Sequence, residues 1–240
     1  MRIDILTLLP GLLESYLQEG MIGRACREGL IQISAVQIRD FATDRHKTAD
    51  DSPYGGGAGL IMKAEPLAGA IKAAKGRKKA RILLMSPQGR TFSHDDARRL
   101  ANEKHLIIIC GRYEGLDERI RQKYVDEEFS IGDYVLTGGE LAALVIADAT
   151  ARFIQGVLGN EQSSQDESFS AGMLEYPQYT KPRVFLKMAV PEVLLSGNHA
   201  QINRWRRTQA LLKTMKNRPD LFAKLQLTSE DRKEIENNRE

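Results

Sequence analysis

Residues 106–140 read LIIICGRYEGLDERIRQKYVDEEFSIGDYVLTGGE, and the parsing of this stretch decides the fold. Leu106–Cys110 is an unbroken apolar run that stops at Gly111, the pattern of a short strand buried on both faces. Leu116–Val125 then carries Leu116, Ile120 and Tyr124 at helical spacing under a coat of charge. A second turn-rich segment, Ile131–Gly139, follows a second short strand. Two strands, each followed by a glycine-bearing loop and joined by a helix, are the unit of an open α/β sheet. In such sheets ligands sit beyond the carboxyl ends of the strands, so both loops are expected at a small-molecule site.

Toward the N-terminus the same texture repeats. Ile3–Leu9 reads as a buried strand ended by Pro10-Gly11, and Leu12–Glu19 as a helix with Pro10 suited to its first turn. Arg24–Glu28 reads as a short helical turn before Gly29, and the alternation of Ile31, Ile33, Ala35 and Ile38 as a second strand. Glu65–Lys75 is expected to be a helix and Arg81–Met85 a short strand ended by Ser86-Pro87-Gln88-Gly89. Ser93 and Asp96 have capping-box spacing and open a helix expected to reach about Lys104. Leu141–Phe153, alanine-rich and apolar almost all round, is the kind of helix buried in a core or at a subunit interface. The alternation predicts an α/β fold with a mostly parallel sheet.

Beyond Gly156 the composition changes. Residues 159–170 are rich in Ser, Gln and Glu with no apolar periodicity, a linker between an α/β domain over 1–158 and a small helical domain over 171–240. The latter is expected to hold helices at Pro191–Ser196, Ala200–Met215, Pro219–Lys224 and Ser229–Asn237. It carries 13 Lys and Arg against 8 Asp and Glu, whereas residues 1–170 carry 22 against 24, so the basic excess lies where a polyanion would be gripped. Arg204 and Arg207 fall on one side of a helix around Trp205, a phosphate-gripping face, while Trp205 itself reads as well as a core residue. The long polar loop Phe41–Gly59, with Arg45, His46 and Asp50, is expected to contact phosphate or a base edge rather than idle in solvent.

Other classes are excluded by what the chain lacks. No apolar run approaches the ~18–20 residues of a membrane span, and the first residues carry no export signal. Cys26 and Cys110 are far apart and have no metal-ligand neighbours, which implies a reducing, cytoplasmic setting; no residue is assigned as a metal ligand. Neither GxGxxG opening a helix nor GxxxxGK(S/T) occurs, so the glycines are not a nucleotide-phosphate cradle. Bare backbone flanked by Tyr113, Glu114 and Tyr134 suits instead the edge of a flat ring.

GRYEGLDER (Gly111–Arg119) and SIGDYVLTGGE (Ser130–Glu140) resemble segments of bacterial tRNA (guanine-N1)-methyltransferases, the TrmD type of the knotted SPOUT superfamily. The resemblance runs in order through DRHKTADDSPYGGGAGL (Asp44–Leu60), SPQGR (Ser86–Arg90), RFIQGVLGNE (Arg152–Glu161), YPQYTKPR (Tyr176–Arg183) and LLSGNHAQINRWR (Leu194–Arg206). It implies S-adenosylmethionine as methyl donor and N1 of guanosine 37 in tRNA as acceptor, with guanosine at 36. It also implies a deep trefoil knot, an obligate homodimer whose sites need both subunits, and a helical domain that grips the anticodon branch.

Motif by motif, the resemblance assigns the donor pocket to Met85, Ser86, Pro87 and Gln88, to Gly111, Tyr113, Glu114 and Gly115, and to Ile131, Gly132, Asp133, Tyr134, Val135, Leu136, Gly138 and Gly139. Glu114 could also sit beside the sulfonium or hold Mg2+; its plainer role is a carboxylate near a helix start. Guanine N1 is protonated at neutral pH, and a carboxylate of pKa ~4 is too weak a base unless charge growing on O6 is stabilised. Arg152 matches the family arginine for that task. The family usually has Asp directly before Ser-Phe, whereas here the order is Asp166-Glu167-Ser168-Phe169. Glu167 takes the base's place with one extra methylene, and Asp166, shifted by one residue, is the alternative. Two rival readings remain open: a knotted methyltransferase with another target atom, and a non-catalytic tRNA-binding protein.

Overall fold

In the computed structural model, residues 1–159 and 167–238 are described. The chain divides into two compact units, Met1–Glu161 and Gln162–Glu240.

The first unit is built on a five-stranded sheet in which every pairing is parallel. Its elements run β1 (Arg2–Thr7), α1 (Gly11–Gln18), α2 (Gly20–Arg27), β2 (Gln32–Gln37), a short hairpin of β3 (Asp50–Asp51) and β4 (Ile61–Met62), α3 (Ala64–Lys75), β5 (Arg81–Thr91), α4 (His94–Leu100), β6 (His105–Cys110), α5 (Glu118–Tyr124), β7 (Glu127–Ser130) and α6 (Glu140–Ala151). The strand order is β2-β1-β6-β5-β7. β6, wholly buried, is the central strand, as its continuous apolar run requires.

The two-residue period of the strands sorts the core into two layers. Leu106, Ile108 and Cys110 face a cluster with Leu13 of α1, Leu100 of α4 and Ala143, Ile146 and Ala147 of α6. Ile107 and Ile109 face the other cluster, with Leu67 and Ile71 of α3 and Ile120 of α5. Leu116 and Tyr124 pack against that second cluster, which accounts for their helical spacing with Ile120. Polar groups buried in the sheet are paired: Asp4, fully buried, meets His105 Nε2 at 2.7 Å and the Arg2 guanidinium at the strand starts, far from the glycine loops in register.

Several expected boundaries shift for identifiable reasons. β5 does not stop at Met85. Met85 and Arg90 both register with Phe129, so Ser86–Gly89 bulges out and the strand resumes to Thr91. Gly89 makes the bulge possible, since a Cβ there would lie 2.5 Å from the Glu128–Phe129 backbone. The capping box of Ser93 and Asp96 is present, but α4 ends at Leu100 rather than near Lys104; one turn later the chain enters β6. α2 is a full eight-residue helix rather than a turn, and Phe41–Gly59 is not wholly irregular, because Asp50–Asp51 pairs with Ile61–Met62.

The second unit holds a two-strand hairpin, β8 (Val184–Phe185) and β9 (Met188–Ala189), then α7 (His199–Asn217), α8 (Pro219–Phe222) and α9 (Ser229–Asn237). The expected helix at Pro191–Ser196 is a single 3-10 turn, Glu192–Leu195. Ile202, Ala210, Leu211 and Ile235 form its small buried interior. Thr214 Oγ1 accepts the Leu174 N–H at 2.8 Å and pins the incoming strand-like segment to α7.

Candidate active site

β5, β6 and β7 end side by side, and the loops that leave them enclose a cavity of about 290 Å³. Its walls are Met85–Gln88 from the β5 bulge, Gly111–Leu116 after β6, and Ser130–Gly132 with Tyr134–Gly139 after β7; Ala142 of α6 closes its floor. Of the sequence-expected donor residues, only Asp133 is absent from the wall.

The walls are held to each other by backbone. Gly139 N–H donates to Gly111 O at 2.9 Å, and Arg112 bridges Gly138 in antiparallel fashion. A Cβ on Gly139 would lie 2.8 Å from Cys110 Cα, so the approach demands glycine. Within the third wall, Ser130 Oγ donates to Gly132 O at 2.9 Å and accepts the Gly132 N–H at 3.1 Å, fixing the turn in which Tyr134 stands exposed.

The middle wall is docked on the β3–β4 hairpin. Glu114 N–H donates to Leu60 O, Met62 N–H to Gly115 O and Asp117 N–H to Met62 O, all between 2.9 and 3.0 Å. Tyr113 adopts φ +58°, and its hydroxyl accepts from Arg39 Nη2 at 3.3 Å. Arg39 also pairs with Asp50 at 3.6 Å. Burial, and then Asp50, push the Tyr113 hydroxyl above its ordinary pKa, so it stays protonated. Asp50, expected to bind substrate, thus supports the pocket's middle wall, while Arg45 and His46 are exposed on the loop before it. Glu114 is also exposed.

A buried ion pair beside this site, Arg112 with Glu140, escaped the sequence reading. Glu140, only 2% exposed, receives Thr7 Oγ1 at 2.7 Å and Arg112 Nε at 3.1 Å from each oxygen. Arg112 Nη2 lies 3.0 Å from the same carboxylate and Nη1 donates to Thr137 O at 3.3 Å. Both residues sit inside the quoted motifs, GRYEG and TGGE, but nothing in their spacing says that they meet.

Arg152 is not in this cavity. It caps the C-terminal end of α6 and lines a separate cleft of about 280 Å³ with Tyr16, Met21 and Asp148. There the Tyr16 hydroxyl donates to Asp148, and that bond, with burial and the Asp148 charge, pushes the phenol up to about 12. Glu167 lies in the second unit, lining a cleft with Tyr176, Asn203, Arg206 and Arg207. Asp166 lies outside the described residues. Of the helical-domain arginines, Arg207 binds Asp231 through two nitrogens at 3.1 and 3.0 Å, and Arg204 reaches Glu230 at 2.7 Å. Arg206 stacks over Tyr176 at 4.8 Å, and Trp205 is half-buried near Tyr179. Among the described residues no three His, Cys, Asp or Glu side chains gather as a metal site, and no helix is long and apolar enough to cross a membrane.

A family model described as tRNA (Guanine-1)-methyltransferase TrmD matches residues 1–224. The chain belongs to that family. It is 58% identical over 234 residues to a protein of Geobacter metallireducens named tRNA (guanine-N(1)-)-methyltransferase, covering 97% of this chain and 96% of that one. Relatives of the same name in Dehalococcoides mccartyi and Staphylococcus carnosus are each 52% identical, covering 98% and 99% of this chain and 96% and 97% of theirs. The range matched by the TrmD model includes all three walls of the cavity and both Arg152 and Glu167.

Proposed function

We propose that this chain methylates N1 of guanosine 37 in tRNA, on transcripts that carry guanosine at 36, using S-adenosylmethionine. The observation that carries the reading is the cavity at the ends of β5, β6 and β7, framed by glycines in a member of the TrmD family. Its fit to the donor rests on shape and chemistry. The glycine-bearing walls at Gly111–Gly115 and Ile131–Gly139 suit the flat edge of an adenine, and a side chain at Gly138 or Gly139 would collide with the wall behind it. When bound, S-adenosylmethionine supplies a methyl group activated by its sulfonium.

The protein must then manage a proton and a charge. Glu167, or Asp166 by a one-residue shift, takes the proton from guanine N1. Arg152 stabilises the negative charge that this leaves toward O6. The target base must leave the stack for N1 to be reached. Arg45, His46 and Arg204 hold phosphates around it. The Arg204–Glu230 pair is solvent-facing and can exchange for a phosphate, whereas Arg207 is committed more firmly to Asp231. The α/β domain is assigned to 1–158 and the helical domain to 171–240, with 159–170 as the linker, of which residues 160–166 lie outside the described residues. Glu114, an exposed carboxylate on the cavity wall, would be the residue to meet Mg2+.

Arg152 lies in a different cleft from the donor cavity of its own chain, which supports a homodimer in which one subunit completes the other's site. Leu12 and Tyr16 of α1, Met21 of α2, and Leu141 and Val145 of α6 are exposed apolar or aromatic side chains on neighbouring helices, a surface that a second copy would cover. The close passage of Gly138–Gly139 across Gly111–Arg112 suits a trefoil knot. The setting is the cytoplasm, where tRNA and the donor are found together.

The test is methyl transfer from labelled donor to unmodified transcripts with guanosine or adenosine at position 37. Label confined to guanosine 37 and mapping to N1 is expected. Equal labelling of both transcripts would overturn the target, and tight tRNA binding without donor binding would overturn the enzyme.

A further inference from the structure

We propose that Glu140 is a positioning residue for methyl-donor binding: by gripping Arg112 and Thr7 together it sets the separation of the two glycine loops that wall the cavity. The inference rests on reading that cavity as the S-adenosylmethionine site.

Glu140 is the first residue of α6, and the N-cap before it, Gly139, offers no side chain to the helix start. A carboxylate there would serve the helix equally well from solvent. Instead it is turned inward to 2% exposure and satisfied by Thr7 Oγ1 and the Arg112 guanidinium. These partners come from the end of β1 and from the second residue after β6, while Arg112 reaches on to Thr137 O in the third wall. One carboxylate therefore ties three chain segments at one point, directly behind the cavity. The space is filled tightly, since a Cβ on Gly138 would lie 2.4 Å from Arg112 Nε and 2.5 Å from Glu140 Oε2.

Stability is a poor reason for this arrangement. A buried ion pair recovers little beyond its own desolvation, and well-packed apolar residues commonly do as well. Its distinctive property is geometric. A forked guanidinium on a carboxylate fixes distance and orientation together, and small displacements of binding groups have large effects on ligand alignment. Arg112 itself lines the cavity, so any slackening of its grip is transmitted to the wall.

The experiment is calorimetry of S-adenosylmethionine binding to the full-length wild type and to Glu140→Gln, Thr7→Val and Arg112→Lys, with thermal unfolding and steady-state kinetics alongside. Glu140→Gln is expected to raise the donor dissociation constant about tenfold or more. KM for the donor should rise by a larger factor than kcat falls at saturation. Thr7→Val, which removes one bond, should weaken binding less, and Arg112→Lys should fall between them because it keeps the charge but not the fork. A folded Glu140→Gln protein with a lowered melting temperature and wild-type donor affinity would overturn the inference. Should Glu140→Gln fail to fold, unchanged affinity in both Thr7→Val and Arg112→Lys would overturn it equally. A wild type that does not bind the donor at all would instead overturn the reading of the cavity, and this inference with it.

Discussion

The Gly139 N–H donates to the Gly111 carbonyl at 2.9 Å, joining the loop between β7 and α6 to the loop after β6, 28 residues apart in the chain. Gly139 has an ordinary φ of −81°, so glycine is needed for space rather than for backbone conformation. Gly139→Ala places a methyl 2.8 Å from Cys110 Cα, and only backbone movement can relieve that contact. We expect a stability loss of about 1–3 kcal/mol and a larger relative loss of donor affinity. Thermal unfolding and calorimetry on the same preparation check both.

Arg152→Ala and Glu167→Gln should separate chemistry from donor binding. Neither residue lines the cavity of its own chain proposed to hold the donor, so donor affinity is expected to stay near wild type. Single-turnover methyl transfer should fall by roughly 10²–10³-fold for Arg152→Ala and by 10²–10⁴-fold for Glu167→Gln. Asp166→Asn should have a small effect; the reverse ranking would make Asp166 the base.

The apolar face of α1, α2 and α6 predicts the oligomeric state. Leu141→Glu with Val145→Glu puts two charges on exposed positions of α6. Sedimentation should report a folded monomer in place of a dimer, and methyl transfer should be lost. A monomeric variant with full activity would remove the need for a second subunit.

Acid stability of the helical unit should follow Asp231. Hydrogen bonds from Arg207, against the opposing effect of burial and with help from Thr228, hold its carboxyl at about 2 instead of the ordinary 3.8. A depressed folded-state pKa stabilises the fold fully above the unfolded value, and that stability is lost as pH falls through about 2. Asp231→Asn should therefore melt lower than wild type at neutral pH, with the difference shrinking between about pH 4 and pH 2. Melting temperature as a function of pH, for both proteins, reads this directly.

Much of the fold was legible because its signals are local. The apolar run Leu106–Cys110 could only be a central strand, and the Ser93–Asp96 capping box appears where its spacing put it. The turn signal in Ser86–Gly89 was misread as a strand end. A bulge and a terminus share the same residues, and only the pairing of both Met85 and Arg90 with Phe129 distinguishes them. The cavity-wall residues named from the motifs come together because loops that leave parallel strands share the carboxyl end of the sheet.

What the sequence by itself determined is therefore periodicity and punctuation: which residues face a core, where helices start, and that bare backbone collects beyond β6 and β7. It also carried the family, through long motifs in fixed order. The tertiary structure alone decided which side chains meet. Thr7, Arg112 and Glu140 are brought to one buried point from segments with no common spacing, and Arg39, Asp50 and Tyr113 meet at a second, more exposed one. It also separated Arg152 from the cavity at the ends of β5, β6 and β7 of its own chain. Local pattern records the free energy of burying a face, which each segment expresses alone. A charge-assisted contact across 133 positions exists only after the sheet has brought its strand ends into register.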